Sequence, residues 1–199
     1  MEMFGEGSRK LQDRYNARKV ADLVVGATTV SNFDDDKFGY REFIEESSYF
    51  FLATSSGENT DCSYKGGPKG FIKIIGPNTL VYPDYDGNRM YKSLGNIIEN
   101  PNVGMLFVRF ESEEGKRYLR VRINGVATLH DEHPMLGEFP GAKRLIEINT
   151  KHIYLNCGRY IPEMTLVEES AHLPKEGKEQ PVPAWKMKPG IREALEGSD

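Results

Sequence analysis

Short apolar runs broken by glycine, proline and asparagine dominate the chain from Ser48 onward. "SYFFLATSS" is a run of aromatic and aliphatic residues ended by Gly57, which predicts a buried strand. "DCSYKGGPKGFIKIIGPNTLVYP" predicts a strand around Cys62 to Lys65, a tight "GGPKG" bend, a strand over Phe71 to Ile75, a "GPN" turn and a strand over Thr79 to Tyr82. Turns this short make antiparallel neighbours. "NVGMLFVRF" and "YLRVRINGVATLHD" add two strands, and "KRLIEINTKHIYLNC" a long last one after a helical turn near "HPMLGEF". Helical spacing occurs in three places. Ser8 to Val25 carries a weak apolar stripe. A second helix follows "NFDDD", with Phe38, Phe43 and Ile44 as its buried face and the aspartates at its positive end. The third lies within Gly87 to Pro101. The expected class is mainly β (α+β): an antiparallel barrel of six or more strands with flanking helices.

The pattern divides the chain into an N-terminal helical extension (1–35), a central domain (36–167) and a polar, proline-rich tail (168–199) that wraps a surface or a partner, or stays mobile.

The third helix has two stripes. At about 100° per residue, Arg89, Lys92, Ser93 and Asn96 share one sector, while Met90, Leu94, Ile97 and Ile98 share another with the spacing of a buried face. Gly87 and Asn88 supply the turn into it, and Pro101 ends it. Two cations, a hydroxyl and an amide at a helix start, with no acid among them, suit a phosphate held between lysine, arginine and backbone N–H groups. A solvated helix face is the competing reading. Neither this stretch nor "GGPKG" has the spacing of a P-loop.

Bulk composition narrows the partners. A net charge of −4 over 199 residues argues against general binding to nucleic-acid phosphates. No apolar run has membrane-spanning length and the first residues lack a secretory pattern, so no membrane partner and a cytoplasmic location are expected. Two distant cysteines suit a reducing compartment. Cys62 is expected to be a small buried residue and Cys157 to be packed at a strand end. "HDEH" (His130, His133) does not fit zinc-ligand spacing and is expected to be a turn, with no metal site. Trp185 is a candidate anchor for the tail.

The surroundings of the two-faced helix strengthen the phosphate reading. Arg120, Arg122 and Asn124 alternate onto one face of their strand. Lys65 and Lys69 flank a glycine bend that lets backbone approach a ligand. A flat, phosphorylated cofactor would use all of these features. The stretch "SYKGGPKGFIKIIGPNTLVYPDYDGNRMYKSLGNIIENPNVGMLF", followed by "LRVRINGVATL" and a late "NCGRYI", resembles the pyridoxamine 5′-phosphate oxidase-like FMN-binding proteins of split-barrel fold. The resemblance runs from about Phe43 to about Tyr160. It implies a homodimer with one FMN at each of two sites between subunits. It also implies that Lys92 and Ser93 contact the FMN phosphate, with Tyr82 and Pro83 at the strand end beside it. Lys69, Gly70, Phe71 and Ile72 would border the flavin ring, Arg120 would lie near the ring's edge, and Arg122 would belong to a "RVNG"-like motif. Asn88 and Asn96 complete the implied set, and Lys65 joins the candidate cofactor-binding residues from its place beside the glycine bend. The arginine-containing ending by which oxidases of this kind hold their substrate's phosphate is absent here. The expected function is therefore an FMN-dependent oxidoreductase acting on a small molecule or a nicotinamide nucleotide, with no catalytic side chain singled out. The alternatives are a non-catalytic FMN store or sensor, and a split barrel holding haem or a deazaflavin.

Overall fold

The computed structural model describes residues 2–35, 38–110 and 119–196. Its elements are α1 (Glu6–Arg14), α2 (Arg18–Thr28), β1 (Thr29–Val30), α3 (Tyr40–Glu45), β2 (Tyr49–Ser56), β3 (Asn59–Gly66), β4 (Lys73–Gly76), β5 (Thr79–Asp84), α4 (Lys92–Glu99), β6 (Asn102–Val108), β7 (Leu119–His130), β8 (Arg144–Cys157) and α5 (Ile191–Glu196). Single 3-10 turns cover Leu136–Glu138 and Ala184–Met187. The strands form one antiparallel sheet in the order β3-β2-β6-β7-β8-β5-β4, with β1 added along β8. This is the expected split barrel, with eight strands.

Alternation drives the closure. Phe50 and Leu52 of β2, Val103, Met105 and Phe107 of β6, and Val121 and Ile123 of β7 all turn inward and are buried. They meet Leu80 and Tyr82 of β5 and Ile146, Ile148 and Ile153 of β8 in one core. Burying each such side chain contributes about 1.5–3 kcal/mol. Aromatic packing is concentrated around Phe50, whose ring meets Tyr82 edge-on at 4.9 Å and lies 5.3 Å from Phe107.

Helix α4 carries the chain from β5 to β6, which lie on either side of the β7–β8 pair. Leu94 and Ile97 are buried beneath it. Two amides fasten it to β2: Asn96 donates to the Thr54 hydroxyl (3.1 Å) and Asn100 to the Ser55 hydroxyl (3.2 Å).

Several local expectations are corrected. The helix expected over Ser8 to Val25 is two helices, parted where Asn16 takes a left-handed φ of 52°. Phe38 is exposed, so only Phe43 and Ile44, joined by Tyr40, form the buried face of α3. That helix is preceded by Gly39 in the left-handed region and not by the aspartates. The backbone N–H groups of Asp34 and Asp35 instead donate to the Asn32 side chain in a turn. Asp36, the third residue of that run, lies outside the described residues. Helix α4 begins at Lys92, not near Asn88, because Arg89 and Tyr91 both have left-handed φ values of 61° and 51°. Met90 therefore precedes the helix and is exposed, and Ile98 is exposed as well, which leaves Leu94 and Ile97 as the apolar stripe. Cys62 and Cys157 are both exposed. Cys62 sits on an edge strand, and Cys157 is the last residue of β8.

A cationic cleft at the start of helix α4

The loop between β5 and α4 is built by short-range hydrogen bonding. Asn88 accepts the Met90 backbone N–H on its side-chain oxygen (3.0 Å), an Asx turn that reverses the chain. Two left-handed non-glycine residues, Arg89 and Tyr91, follow in quick succession. Each costs of order 1–3 kcal/mol, and such conformations cluster at ligand sites. The loop delivers the N-terminus of α4 to the rim of a cleft of about 1130 Å³.

The cleft has an apolar wall and a charged rim. Phe71, Pro83 and Leu94 belong to the wall and are buried residues of the barrel. Gly67 lets Phe71 lie there, since a Cβ at Gly67 would sit 2.3 Å from the Phe71 ring. The rim brings together six cations, Lys65, Arg89, Lys92, Lys143, Arg144 and Lys186, against three carboxylates, Asp61, Asp84 and Asp86. The surplus is positive although the whole chain is negative.

Each carboxylate already holds a donor. Asp61 accepts the Ser93 hydroxyl (2.8 Å), and Ser63 in turn donates to Ser93 (2.9 Å). Asp84 lies 3.6 Å from the Arg144 guanidinium, which also faces Asp131 at 3.5 Å and lies 5.6 Å from the Tyr91 ring centre. Asp86 pairs with Lys186 of the tail and approaches Arg89 at 4.0 Å. Burial pushes the Asp84 carboxyl up, and the nearby Lys65 and Arg144 charges oppose that rise. Burial likewise pulls the Lys65 ammonium down, opposed by Asp84 and Asp61.

Three groups remain open. Lys92 and Lys143 have no carboxylate within 4.0 Å among the described residues. The Arg144 Nε, although ion-paired with Asp84 and Asp131, makes no hydrogen bond among the described residues. Among the described residues the backbone N–H groups of Lys92, Ser93 and Leu94 have no partner either, because the first bond of α4 runs from Gly95 to the Tyr91 carbonyl.

Of the residues singled out from sequence, Lys65, Phe71, Pro83, Asn88, Lys92 and Ser93 line this cleft together. Lys69 and Gly70 lie on the exposed bend before β4, Gly70 with a φ of 83°. Ile72 and Tyr82 are turned into the core, the Tyr82 hydroxyl without a partner. Asn96 is buried against Thr54. Arg120 donates twice to the Cys157 carbonyl (2.7 and 3.2 Å) and Arg122 to the Asn156 side chain (2.6 Å), on the far face of β7 from the core. His130 and His133 stand with rings 5.4 Å apart, both near Glu147. Sequence reasoning missed Lys143, Arg144 and the three rim aspartates, because these converge from distant strands and no local spacing marks them. The tail, expected to wrap a surface or a partner or to stay mobile, folds onto a surface of its own chain. Nine residues between Ser170 and Lys186 line the cleft of their own chain.

The structure is an antiparallel split barrel with a cleft at the N-terminus of α4 whose lining carries more cations than carboxylates. The family model described as pyridoxamine 5′-phosphate oxidase matches residues 39–168, and the chain belongs to that family. No curated protein matches it. Among solved structures it is similar to HupZ of Group A Streptococcus (16% identity, 60% of this chain and 94% of the other, TM-score 0.44). It is also similar to an FMN-binding protein of Syntrophomonas wolfei (13%, 76% and 96%, TM-score 0.42). A further similar structure is the FAD binding protein of Mycobacterium smegmatis (13%, 61% and 95%, TM-score 0.43). Among the described residues no helix is long and apolar enough to cross a membrane.

Proposed function

We propose that the chain is a flavin-dependent oxidoreductase that holds FMN in this cleft and acts on a small molecule. The residues fit the cofactor. A dianionic phosphate would satisfy the open donors at the start of α4: the Lys92 ammonium, the Ser93 hydroxyl and the free N–H groups of the first turn. Phe71, Pro83 and Leu94 offer an apolar shelf for a flat ring. Lys65, half-buried and without a carboxylate within 4.0 Å among the described residues, would face the polar parts of the ligand. When bound, FMN supplies the acceptance of a hydride or of two electrons. The chain's own part is to bind, orient and shield it, which no nucleophile or general base is needed to do.

The observation that carries this reading is the unpaired Lys92 beside three unpartnered backbone donors at the rim of a positively charged cleft. A homodimer is part of the reading. The outer face of the sheet stacks Tyr49 on Tyr64 at 5.7 Å and on Phe110 at 6.2 Å, with Phe51 edge-on to Tyr64. Tyr64 also lines the cleft. Large aromatics on an outer sheet face suit a partner of the same kind. Dialysis of the purified protein against FMN tests the proposal. Retention of one flavin per chain, with quenched fluorescence, is expected; a chain that stays colourless refutes it. Bleaching of the retained flavin under nitrogen by a reduced organic substrate distinguishes an enzyme from a passive binder.

A further inference from the structure

The tail meets the cleft on both of its banks. Arg89 and Lys92 stand on one bank, formed by the loop from β5 into α4 and the start of that helix. Lys143 and Arg144 stand on the other, where the chain enters β8. Lys186 of the tail pairs with Asp86 on the first bank, with only 15% of the lysine side chain exposed. Pro174 is buried beside the second. A Cβ built on Gly141 would lie 3.2 Å from Pro174 and 3.5 Å from the Gln180 side chain. Between these anchors the tail is ordered by its own contacts. Lys175 holds Glu169 at 2.6 Å, and a short antiparallel bridge joins Lys175 to Lys178 around Gly177. Pro181 and Pro183 each fix a backbone angle, so the attached tail gives up little further freedom.

The first anchor falls just before strained backbone. Arg89 and Tyr91 are non-glycine residues with left-handed φ values of 61° and 51°. Such conformations persist where their surroundings over-determine them. Within the loop, the Asn88 side chain accepts the Met90 N–H, and Asp86 stands 4.0 Å from Arg89. From outside the loop, Lys186 holds Asp86. The pair therefore ties the segment that presents the N-terminus of α4 to a distant part of the chain.

We infer that the Lys186–Asp86 pair is a latch that positions the β5–α4 loop, so that the tail sets how strongly the start of α4 holds a phosphate. The inference rests on the flavin reading above and gives Lys186 a positioning role in that site. The charge of Lys186 is already met by Asp86, and it acts through the loop. When the latch opens, Arg89 and Tyr91 relax toward ordinary backbone. The N–H groups of Lys92, Ser93 and Leu94 then lose the common direction that a phosphate needs. Linkage makes the effect reciprocal: a phosphate bound at α4 holds the latch shut.

The test uses the full chain and two substitutions that charge alone would send in opposite directions. Lys186→Met removes a cation from the cleft, whereas Asp86→Asn removes an acid and frees Arg89. If the rim attracted a phosphate by its net charge only, the first would weaken FMN binding and the second would strengthen it. The latch requires both to weaken it by roughly fivefold, the factor for an ion pair worth about 1 kcal/mol. It also requires the double variant to bind no more weakly than either single one. Riboflavin, which has no phosphate, binds parent and variants alike, and Lys186→Arg recovers the affinity of the parent. Trypsin cleavage after Lys186, followed by mass spectrometry, reads the latch itself. Cleavage is faster in Asp86→Asn without any ligand, and in the parent it is slowed by FMN but not by riboflavin. FMN affinity in Asp86→Asn equal to or above that of the parent, unchanged affinity in Lys186→Met, or cleavage indifferent to Asp86→Asn overturns the latch and leaves FMN binding standing. A chain that takes up no FMN overturns the functional reading and the coupling with it, and the ligand-free cleavage rates then decide the latch alone.

Discussion

Lys92→Ala is the sharpest test of the phosphate assignment. Lys92 is exposed on the first turn of α4 and has no carboxylate partner within 4.0 Å among the described residues, so removing it breaks no ion pair of the folded chain. Stability should change by no more than about 0.5 kcal/mol, as at other unpaired surface positions. A hydrogen bond to a charged group is worth about 1.5–3 kcal/mol, so the dissociation constant for FMN should rise roughly tenfold to 150-fold. Adding Ser93→Ala brings the total to roughly 2–4 kcal/mol, with part of the second effect arising because Asp61 loses the hydroxyl it accepts. The assay is quenching of flavin fluorescence at two salt concentrations. Salt near 0.1 M screens beyond about 10 Å, so a direct contact keeps most of its effect whereas a distant field loses it. Riboflavin, which lacks the phosphate, should bind parent and variant alike. Equal FMN affinity in Lys92→Ala and parent, or an equal loss for riboflavin, would refute the reasoning.

Further outcomes follow from the same geometry. Lys65→Met removes a half-buried ammonium that has no ion pair among the described residues, and should raise Tm by about 2–4 °C for a gain of about 1 kcal/mol while weakening FMN binding. In alkali, burial holds the Tyr85 hydroxyl up to about 12 and pushes Tyr82 higher still. Because these folded values lie above the ordinary value of about 10, their stability contribution is complete below pH 10 and is lost as pH rises toward 12. Urea midpoints measured across that window should fall, and Tyr85→Phe should make the fall shallower. Gly125→Ala places a Cβ 2.6 Å from the Asn149 carbonyl oxygen where β7 and β8 slip register, and should cost about 1–3 kcal/mol in urea unfolding.

The strands were legible because their burial alternates. Phe50 and Leu52 against Phe51 and Ala53, or Val121 and Ile123 against Arg120 and Arg122, need only the two-residue period to be placed. The helix start was misplaced because Arg89 and Tyr91 obey no helical or strand rule. Their left-handed conformations come from the closing of the loop, not from intrinsic preference. The cysteines were misjudged for a related reason: Cys62 lies on an edge strand whose outer positions remain open, which composition alone does not disclose. Half of the site was visible in one contiguous stretch, Pro83 to Ser93. The other half is assembled by topology, which brings Arg144 at the start of β8 beside Asp84 at the end of β5.

The three carboxylates in a site for an anion are not a contradiction. Six cations crowded into about 1130 Å³ would repel one another and drift apart when no ligand is present. Asp84 steadies Arg144, Asp86 steadies Lys186 and stands near Arg89, and Asp61 orients Ser93, so each acid keeps a donor in place at the cost of part of the attraction. Lys92 and Lys143 are left without such a partner, and they flank the space that remains. Donors held in advance lose less conformational freedom on binding, which is where affinity is otherwise spent. On the proposed reading, a phosphate dianion would meet both the open lysines and the free N–H groups of the first turn of α4, whereas a monoanion would meet only part of them. A mixed rim of this kind would then favour a compact, doubly charged group more strongly than a rim of cations alone.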